Sequence, residues 1–396
     1  KLLAAFEMRF YINLSYILTV LITSKVNAQS ANFWSRAIKN KDLKQTKQAY
    51  CYRHQNGEIM GENIDKIMSP ASVSKIYLSY FALKKLGAYY RFKTRILIKE
   101  DHIHIQGGHD PNFTSENLFY LFSKLNKLGI YKIKKLSFDK NFYFNRSLPK
   151  NHLAWLLKGY ANTEKWSIIH KVEYQNLLFQ ISNLDLNLFL PETIDFRAKY
   201  VFEKNTVDFS SFKQEIYFES SPLHRHLKQM NIYSSNFIAD NLFEDLGGVN
   251  EFSLFMKREF NVGSETIHFD NGAGFEPNYT NCRLTIYLIE KLKEYLSTQG
   301  LEITDLLSVA GEDMGTLANR YKKEYKKTIA AKTGSLRHTS TLAGVLNTES
   351  SSYAFSIFNH TYKLQRAREL QDYIIKKIFE IIGYPERLRY KHSDYI

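Results

Sequence analysis

At 396 residues, with 44% hydrophobic and 24% charged side chains, the chain has the composition of a soluble globular protein and the length for one large domain or two to three smaller ones. Its formal charge of +14 suits nucleic acid, an anionic membrane or an acidic polymer, but the basic residues are scattered in short doublets such as Lys84-Lys85 and Lys134-Lys135. No basic stripe with interleaved aromatics stands out, so the expectation is no nucleic-acid partner; the 28 Phe and 27 Tyr accompany abundant Lys, Ile and Asn and read as AT-rich coding bias.

From Met8 the chain reads MRFYINLSYILTVLITSKVNAQS. One basic residue, an apolar stretch and the small residues Val26 and Ala28 are the pattern of a secretory signal cut after Ala28, with Met8 as the start. Asn13 and Ser15 interrupt the apolar run, which falls short of the ~20 residues a membrane span needs, so no stable membrane insertion is expected. Cys51 and Cys282 are the only cysteines. Both a disulfide in an oxidising space and two half-buried thiols fit them. No Cys/His spacing indicates a metal, and His102 and His104 are expected to be exposed imidazoles on an alternating strand, HIHIQGG.

The stretch QAYCYRHQNGEIMGEN alternates and turns at Asn56-Gly57, which predicts a hairpin. Pro70 then opens a helix whose apolar residues, Ile76, Leu78, Phe81, Ala82, Leu83 and Leu86, lie on nearly every face, and Gly87 stops it. A helix apolar all round belongs in the middle of a protein. Strands and a helix capped by Thr114 or Ser115 follow between Thr94 and Phe144, whereas Asn145 to Phe218 carries no clear pattern. From Ser221 the reading is helical, broken at IYSSN, and continues through FIADNLFEDLGG. Near the end, KKTIAAKTGSLRHTSTLAGVLN and SYAFSIFNH alternate as strands. A final helix from about Gln365 to Ile382 carries Leu370, Ile374, Ile378 and Ile382 on one stripe.

Ser-x-x-Lys at Ser72 to Lys75 is a weak signal alone, since it recurs at Ser137, Ser147 and Ser210. It gains weight from Ser234-Ser235-Asn236 and Lys332-Thr333-Gly334, which follow in that order. Together these resemble the penicillin-recognising serine enzymes, and the flanks resemble the D-alanyl-D-alanine carboxypeptidase/endopeptidase family of class C low-molecular-mass (type-4) penicillin-binding proteins. SPASVSKIYLSYFALKKLG, IQGGHDPNFTSENL, SSPLHRHLKQMNIYSSNFIADNLFEDLGG, FDNGAGFEPNYTNCRLT, SVAGEDMGTLANRY and AAKTGSLRHTSTLAGVL carry that resemblance over roughly half the chain.

The resemblance implies an α/β serine β-lactamase/DD-peptidase-like fold, with an antiparallel sheet flanked by helices, a helical lobe and an inserted smaller subdomain. On it, 29–95 and 219–396 form the catalytic domain. Only 158 residues separate Lys75 from Ser234, so the inserted region, 96–218, is reduced relative to the family. The implied catalytic residues are Ser72 as nucleophile, Lys75 as its base, Ser234 as proton relay, Asn236 as substrate holder and Lys332 beside the relay. Thr333, Gly334 and Ser335 bind substrate, and the backbone N–H groups of Ser72 and Ser335 form the oxyanion hole. No cofactor or metal is implied. The partners would be peptidoglycan stem peptides and β-lactams acting as covalent inhibitors, in the periplasm or secreted from a bacterium. Carboxypeptidase and endopeptidase both break a bond following D-alanine and remain alternatives. Ala273, where the family usually has serine, is a departure.

Two other functions compete. A serine β-lactamase of class A needs Glu-x-x-x-Asn after the second motif, and none occurs between Ser72 and Lys332; one of class C uses Tyr-x-Asn, which Tyr174-Gln175-Asn176 matches without the expected helical flanks. An inactive muropeptide-binding module would keep the scaffold, but here every motif residue is present.

Overall fold

The computed structural model describes residues 33–144, 157–181, 194–196, 201–203 and 208–390. The expected signal over 1–28 and Ser147-x-x-Lys150 lie outside them. In chain order the strands are β1 (Gln48–Arg53), β2 (Ile59–Glu62), β3 (Lys93–Lys99), β4 (His102–Gln106), β5 (Lys132–Ile133), β6 (Lys135–Phe138), β7 (Asp195–Phe196), β8 (Val201–Glu203), β9 (Gln214–Glu219), β10 (Ser308–Val309), β11 (Ile329–Leu336), β12 (Thr339–Asn347) and β13 (Ser352–His360).

An antiparallel six-stranded sheet has the order β10-β11-β12-β13-β1-β2. Its β1–β2 pair is the hairpin expected at Asn56-Gly57, where Gly57 N–H closes on the His54 carbonyl at 3.0 Å. One face is covered by the helix Leu364–Ile382, whose stripe Leu370, Ile374, Ile378 and Ile382 is fully buried together with Trp34 of the helix at 33–40. Burial of each such aliphatic side chain contributes roughly 1.5–3 kcal/mol relative to exposure. The other face meets a helical layer, Ser74–Leu86, Leu223–Tyr233, Asn236–Asp245, Gly248–Phe260 and Cys282–Thr298, around a common apolar cluster. The helix Ser74–Leu86 runs through the middle of it, buried from Ser74 to Leu83, and ends at Gly87, whose φ of +89° lets its N–H return to the Leu83 carbonyl.

A second sheet, β8-β6-β4-β3-β9, joins antiparallel and parallel pairs. It packs with the helices Ser115–Lys127 and Ile168–Ile181 around a separate cluster drawn from Ile96 to Phe218, in which aromatic rings pack among aliphatic side chains. Thr114 is the N-cap of the first of these helices, and its N–H donates to Asn117 Oδ1 at 2.9 Å.

Two expectations are corrected here and one alternative is resolved. His104 is 1% exposed, because the Ser137 hydroxyl on the neighbouring parallel strand sits 2.9 Å from its Nδ1; the same hydroxyl lies 3.0 Å from Nε2 of His102, which is half-buried. Tyr174-Gln175-Asn176 does lie in a helix, Ile168–Ile181, where Tyr174 packs against Phe119 and Trp166 in the second cluster. Cys51 and Cys282 form a disulfide with Cα atoms 6.0 Å apart, joining β1 to the helix Cys282–Thr298.

Candidate active site

Ser72 and Lys75 open the buried helix. Ser72 lies in a 3-10 turn, Ala71–Val73, that leads directly into Ser74–Leu86. Ala71 just before it holds φ +46°, a conformation that costs a non-glycine residue energy and so points to a backbone fixed by its surroundings. One such constraint is Thr341, whose hydroxyl donates to the Pro70 carbonyl at 2.7 Å. The spacing of three places both side chains on one side of the turn, and Lys75 Nζ lies 3.2 Å from Ser72 Oγ.

The same amine donates to Asn236 Oδ1 at 3.0 Å and to the Ala273 carbonyl at 2.7 Å. Asn236 is delivered by a break between two helices. Ser234, at φ +55°, terminates Leu223–Tyr233, and the Ser235 hydroxyl accepts the Ile238 N–H to start Asn236–Asp245. Ser234 Oγ accepts a hydrogen bond from Lys332 Nζ at 2.9 Å, and Lys332 also donates to the Thr333 carbonyl at 2.7 Å. Lys332 sits in β11, paired with Ala343 of β12.

The three short motifs therefore meet in one cluster, held by the helix start, the helix break and the strand. Ser72, Ser234 and Thr333 are half-buried, Gly334 is buried, and Asn236 and Ser335 are exposed, so the cluster opens to solvent. Gly334 permits the approach of strand to helix: a Cβ there would lie 2.9 Å from the Ser72 backbone nitrogen and 2.2 Å from Thr341 Oγ1.

Both lysines are shielded from water. Burial pushes Lys75 down to about 8, against which the charge of Asp240 acts in the other direction. Burial, reinforced by the charge of Lys75, holds Lys332 well below the ordinary lysine range. An amine near 8 is neutral often enough at neutral pH to accept a proton from the adjacent hydroxyl.

Sequence reasoning did not single out Asp240 or the Ala273 carbonyl. Asp240 Oδ1 accepts the Ala273 N–H at 2.8 Å, and so fixes the loop whose carbonyl receives Lys75. Its spacing of four after Asn236 on one helix was the available signal. The departure at Ala273 costs nothing in this contact, because the backbone makes it. The glycines beside it are structural: a Cβ at Gly274, φ +94°, would collide with the Ala71 carbonyl at 2.0 Å, and one at Gly272 with the Ala239 carbonyl at 2.2 Å. The remaining Ser-x-x-Lys strings among the described residues are accounted for locally. Ser137 serves the two histidines, and the Ser210 hydroxyl donates to Asp208 at 2.6 Å on an exposed turn.

The sequence model of the D-Ala-D-Ala carboxypeptidase 3 (S13) family matches residues 35–160 and 206–377. The chain belongs to that family. No curated protein matches it. Among solved structures it is similar to a lysine-to-methionine form of the predatory endopeptidase Bd3459 from Bdellovibrio bacteriovorus, at 26% identity and TM-score 0.78, over 88% of this chain and 96% of that one. Penicillin G-acylated Bd3459 in complex with the immunity protein Bd3460 matches at 27% identity and TM-score 0.76, over 87% and 95%. Penicillin binding protein 4 from Haemophilus influenzae shares the fold at 17% identity and TM-score 0.58, over 85% and 96%.

Proposed function

We propose that the family's serine-type D-alanyl-D-alanine peptidase activity runs here through Ser72 and is directed at peptidoglycan stem peptides. The observation that carries the reading is the contact of Lys75 Nζ with both Ser72 Oγ and Asn236 Oδ1, beside the Lys332–Ser234 pair. Lys75, as the neutral amine, takes the Ser72 proton while Oγ bonds to the carbonyl carbon of the D-Ala-D-Ala bond. The carbonyl oxygen gathers negative charge, which the N–H groups of Ser72 and Ser335 receive; such a donor typically contributes ~3–4 kcal/mol. The C–N bond then breaks, and Ser234 passes its proton to the departing nitrogen as it takes one from Lys332, which donates to its Oγ. Asn236 holds the peptide chain of the substrate. Thr333 and Ser335 hydrogen-bond its terminal carboxylate, whose negative charge favours the protonated form of Lys332. Gly334 lets the substrate lie along the strand. Water finally hydrolyses the ester on Ser72. A β-lactam enters the same first step and stalls at the ester, as the acylated relative supports.

The organisation we take is a catalytic unit of 29–95 and 219–396 with 96–218 inserted. Separate apolar clusters support it. A periplasmic or secreted location is supported by the disulfide and by the signal-like start; no helix among the described residues is long and apolar enough to cross a membrane. The predatory peptidoglycan endopeptidase Bd3459 supports an endopeptidase activity, and the D-Ala-D-Ala carboxypeptidase family match supports terminal D-alanine release.

A fluorescent penicillin tests the nucleophile. It should label the protein stoichiometrically and fail to label Ser72→Ala, with a loss of roughly 10⁴-fold or more in acylation rate. Labelling that survives the substitution refutes the assignment, and rapid turnover of nitrocefin would show a β-lactamase instead. Digestion of purified sacculi then separates the two peptidase activities: a fall in dimeric muropeptides reports endopeptidase, and shortening of monomeric stems reports carboxypeptidase.

A further inference from the structure

The helix that ends at Ser234 carries polar residues at a spacing of three, Lys228, Asn231 and Ser234, and thus along one side. Lys228 and Asn231 are 0% exposed. Lys228 Nζ donates to Asp313 Oδ2 at 2.6 Å and to the carbonyls of Thr304 and Leu307 at 2.8 and 2.6 Å. Asp313, 1% exposed, also accepts the Val309 N–H at 2.7 Å and the Tyr390 hydroxyl. Val309 is paired with Ala330, two residues before Lys332 on β11. Asn231 Nδ2 donates to Ser79 Oγ at 3.1 Å and to the Leu306 carbonyl at 3.2 Å, and the Ser79 hydroxyl in turn donates to the carbonyl of Lys75 at 2.7 Å.

This row thus reaches the strand of Lys332 through Lys228, the helix of Ser72 and Lys75 through Asn231, and Lys332 itself through Ser234. A row of such polarity is a poor choice for stability alone. Stripping water from an ammonium and a carboxylate costs several kcal/mol per ion, and apolar side chains of the same volume often serve as well or better. What apolar packing does not supply is a directional tie between elements far apart in sequence. We infer that Lys228, Asn231 and Asp313 are positioning residues that hold the Ser234 hydroxyl in line between Lys332 and the leaving nitrogen. The inference rests on the reading of Ser234 as the group that delivers the proton. Misplacement by about 1 Å at such a step can cost on the order of 10²-fold.

The test exploits the leaving group. Expulsion of an amine needs that proton, whereas a thiolate leaves without one. Two substrates with one acyl group, a D-alanyl amide and the matching thioester, are compared by kcat/KM, which reports the steps through acylation. Lys228→Met should lose about 10–100-fold on the amide and less than about threefold on the thioester. Asn231→Ala removes a single amide and should shift the ratio in the same direction, which keeps the test available if Lys228→Met does not fold. Equal losses on both substrates, in variants with native circular dichroism, would overturn the positioning role. Ser234→Ala separates the two levels. If it lowers both substrates alike, the proton-delivery reading fails; if it selectively spares the thioester while the two positioning variants do not, that reading stands and the inference alone falls.

Discussion

The two sheets of this molecule bury different things. Around the six-stranded sheet and its helices, the interior holds Lys75, Lys228, Lys332, Asp313 and Asn231, all at 0–1% exposure, each tied by hydrogen bonds. Around the five-stranded sheet it holds mainly apolar side chains and rings, among them Phe113, Phe119, Phe138, Tyr160 and Trp166, in edge-on contacts 5–6 Å apart, with His104 and Asp110 buried as well. Rings need only area and shape to be stable. Buried charge needs partners held to fractions of an ångström, and that need coincides here with the place where we propose that proton transfer is carried out. Damage should therefore read out differently in the two regions.

Phe119 offers the largest expected contrast. It is 1% exposed, with ring centroids 5.3 Å from Tyr160, 5.1 Å from Trp166 and 5.3 Å from Tyr174. Phe119→Ala should destabilise by about 3–5 kcal/mol through the cavity it leaves. Below the unfolding transition, penicillin labelling of Ser72 should persist, because none of the contacts around Ser72 and Lys75 involves that cluster. Loss of labelling in a variant with native far-ultraviolet circular dichroism would show that the two regions are coupled more tightly than their separate cores imply.

The disulfide comes next. It closes a sequence separation of 231 residues between β1 of the six-stranded sheet and the helix Cys282–Thr298. Replacing both cysteines by alanine should cost about 2–4 kcal/mol, read as a lower urea midpoint with a somewhat steeper slope, because the unfolded chain loses its cross-link and expands. An unchanged midpoint would mean that packing of the helix against the sheet already fixes the two elements.

These contrasts also explain what could be read from the sequence. Ser72, Lys75 and Lys332-Thr333-Gly334 were legible because the motifs are short and local in sequence and stand in one order within flanks that resemble a known family; the spacing of three alone recurs at Ser137, Ser147 and Ser210. The hairpin at Asn56-Gly57 and the stripe from Leu370 to Ile382 were legible for the same local reason. The Ala273 carbonyl was not, since a backbone acceptor has no residue type. His104 was misjudged because its partner, Ser137, arrives from a parallel strand thirty-three residues away. The cysteine pairing depends on the whole fold, and the row Lys228, Asn231, Ser234 looked like an ordinary amphipathic helix until its partners came into view.

Acidity distinguishes the regions by a smaller, graded effect. With Lys75 at about 8, acylation by a β-lactam should rise about tenfold per pH unit below that value and level above it. The sign follows from the base being the neutral amine. Stability should move the same way: between about 8 and the ordinary 10.5, the unfolded chain binds a proton that folded Lys75 does not, so this group adds stability as pH rises through that window. Stopped-flow acylation from about pH 6 to 10 checks the rate, and a flat profile would remove Lys75 as the base.

The smallest effect is expected where the two regions touch. Asp245 ends the helix that begins at Asn236, and its Oδ1 lies 2.8 Å from His109 Nδ1 and accepts the Tyr143 hydroxyl at 2.9 Å, both from the ring-filled region. Asn112 Nδ2 adds a bond of 2.6 Å to Gln229 Oε1, on the helix that ends at Ser234. The region around the five-stranded sheet thus grips the two helices flanking the Ser234 break, but through partly exposed polar groups, which typically contribute ~1 kcal/mol or less each. Asp245→Ala should therefore lower global stability by no more than about 1 kcal/mol while raising amide exchange locally, in the turn from Gly107 to Phe113 and around Tyr143. Exchange that stays unchanged there would mean that the remaining contacts, among them Asn112 with Gln229 and Tyr143 against Phe237, hold the regions together with the chain connections. A loss of several kcal/mol would mean that the contact is part of one cooperative core, and the division between buried charge and buried rings would no longer mark two separable regions.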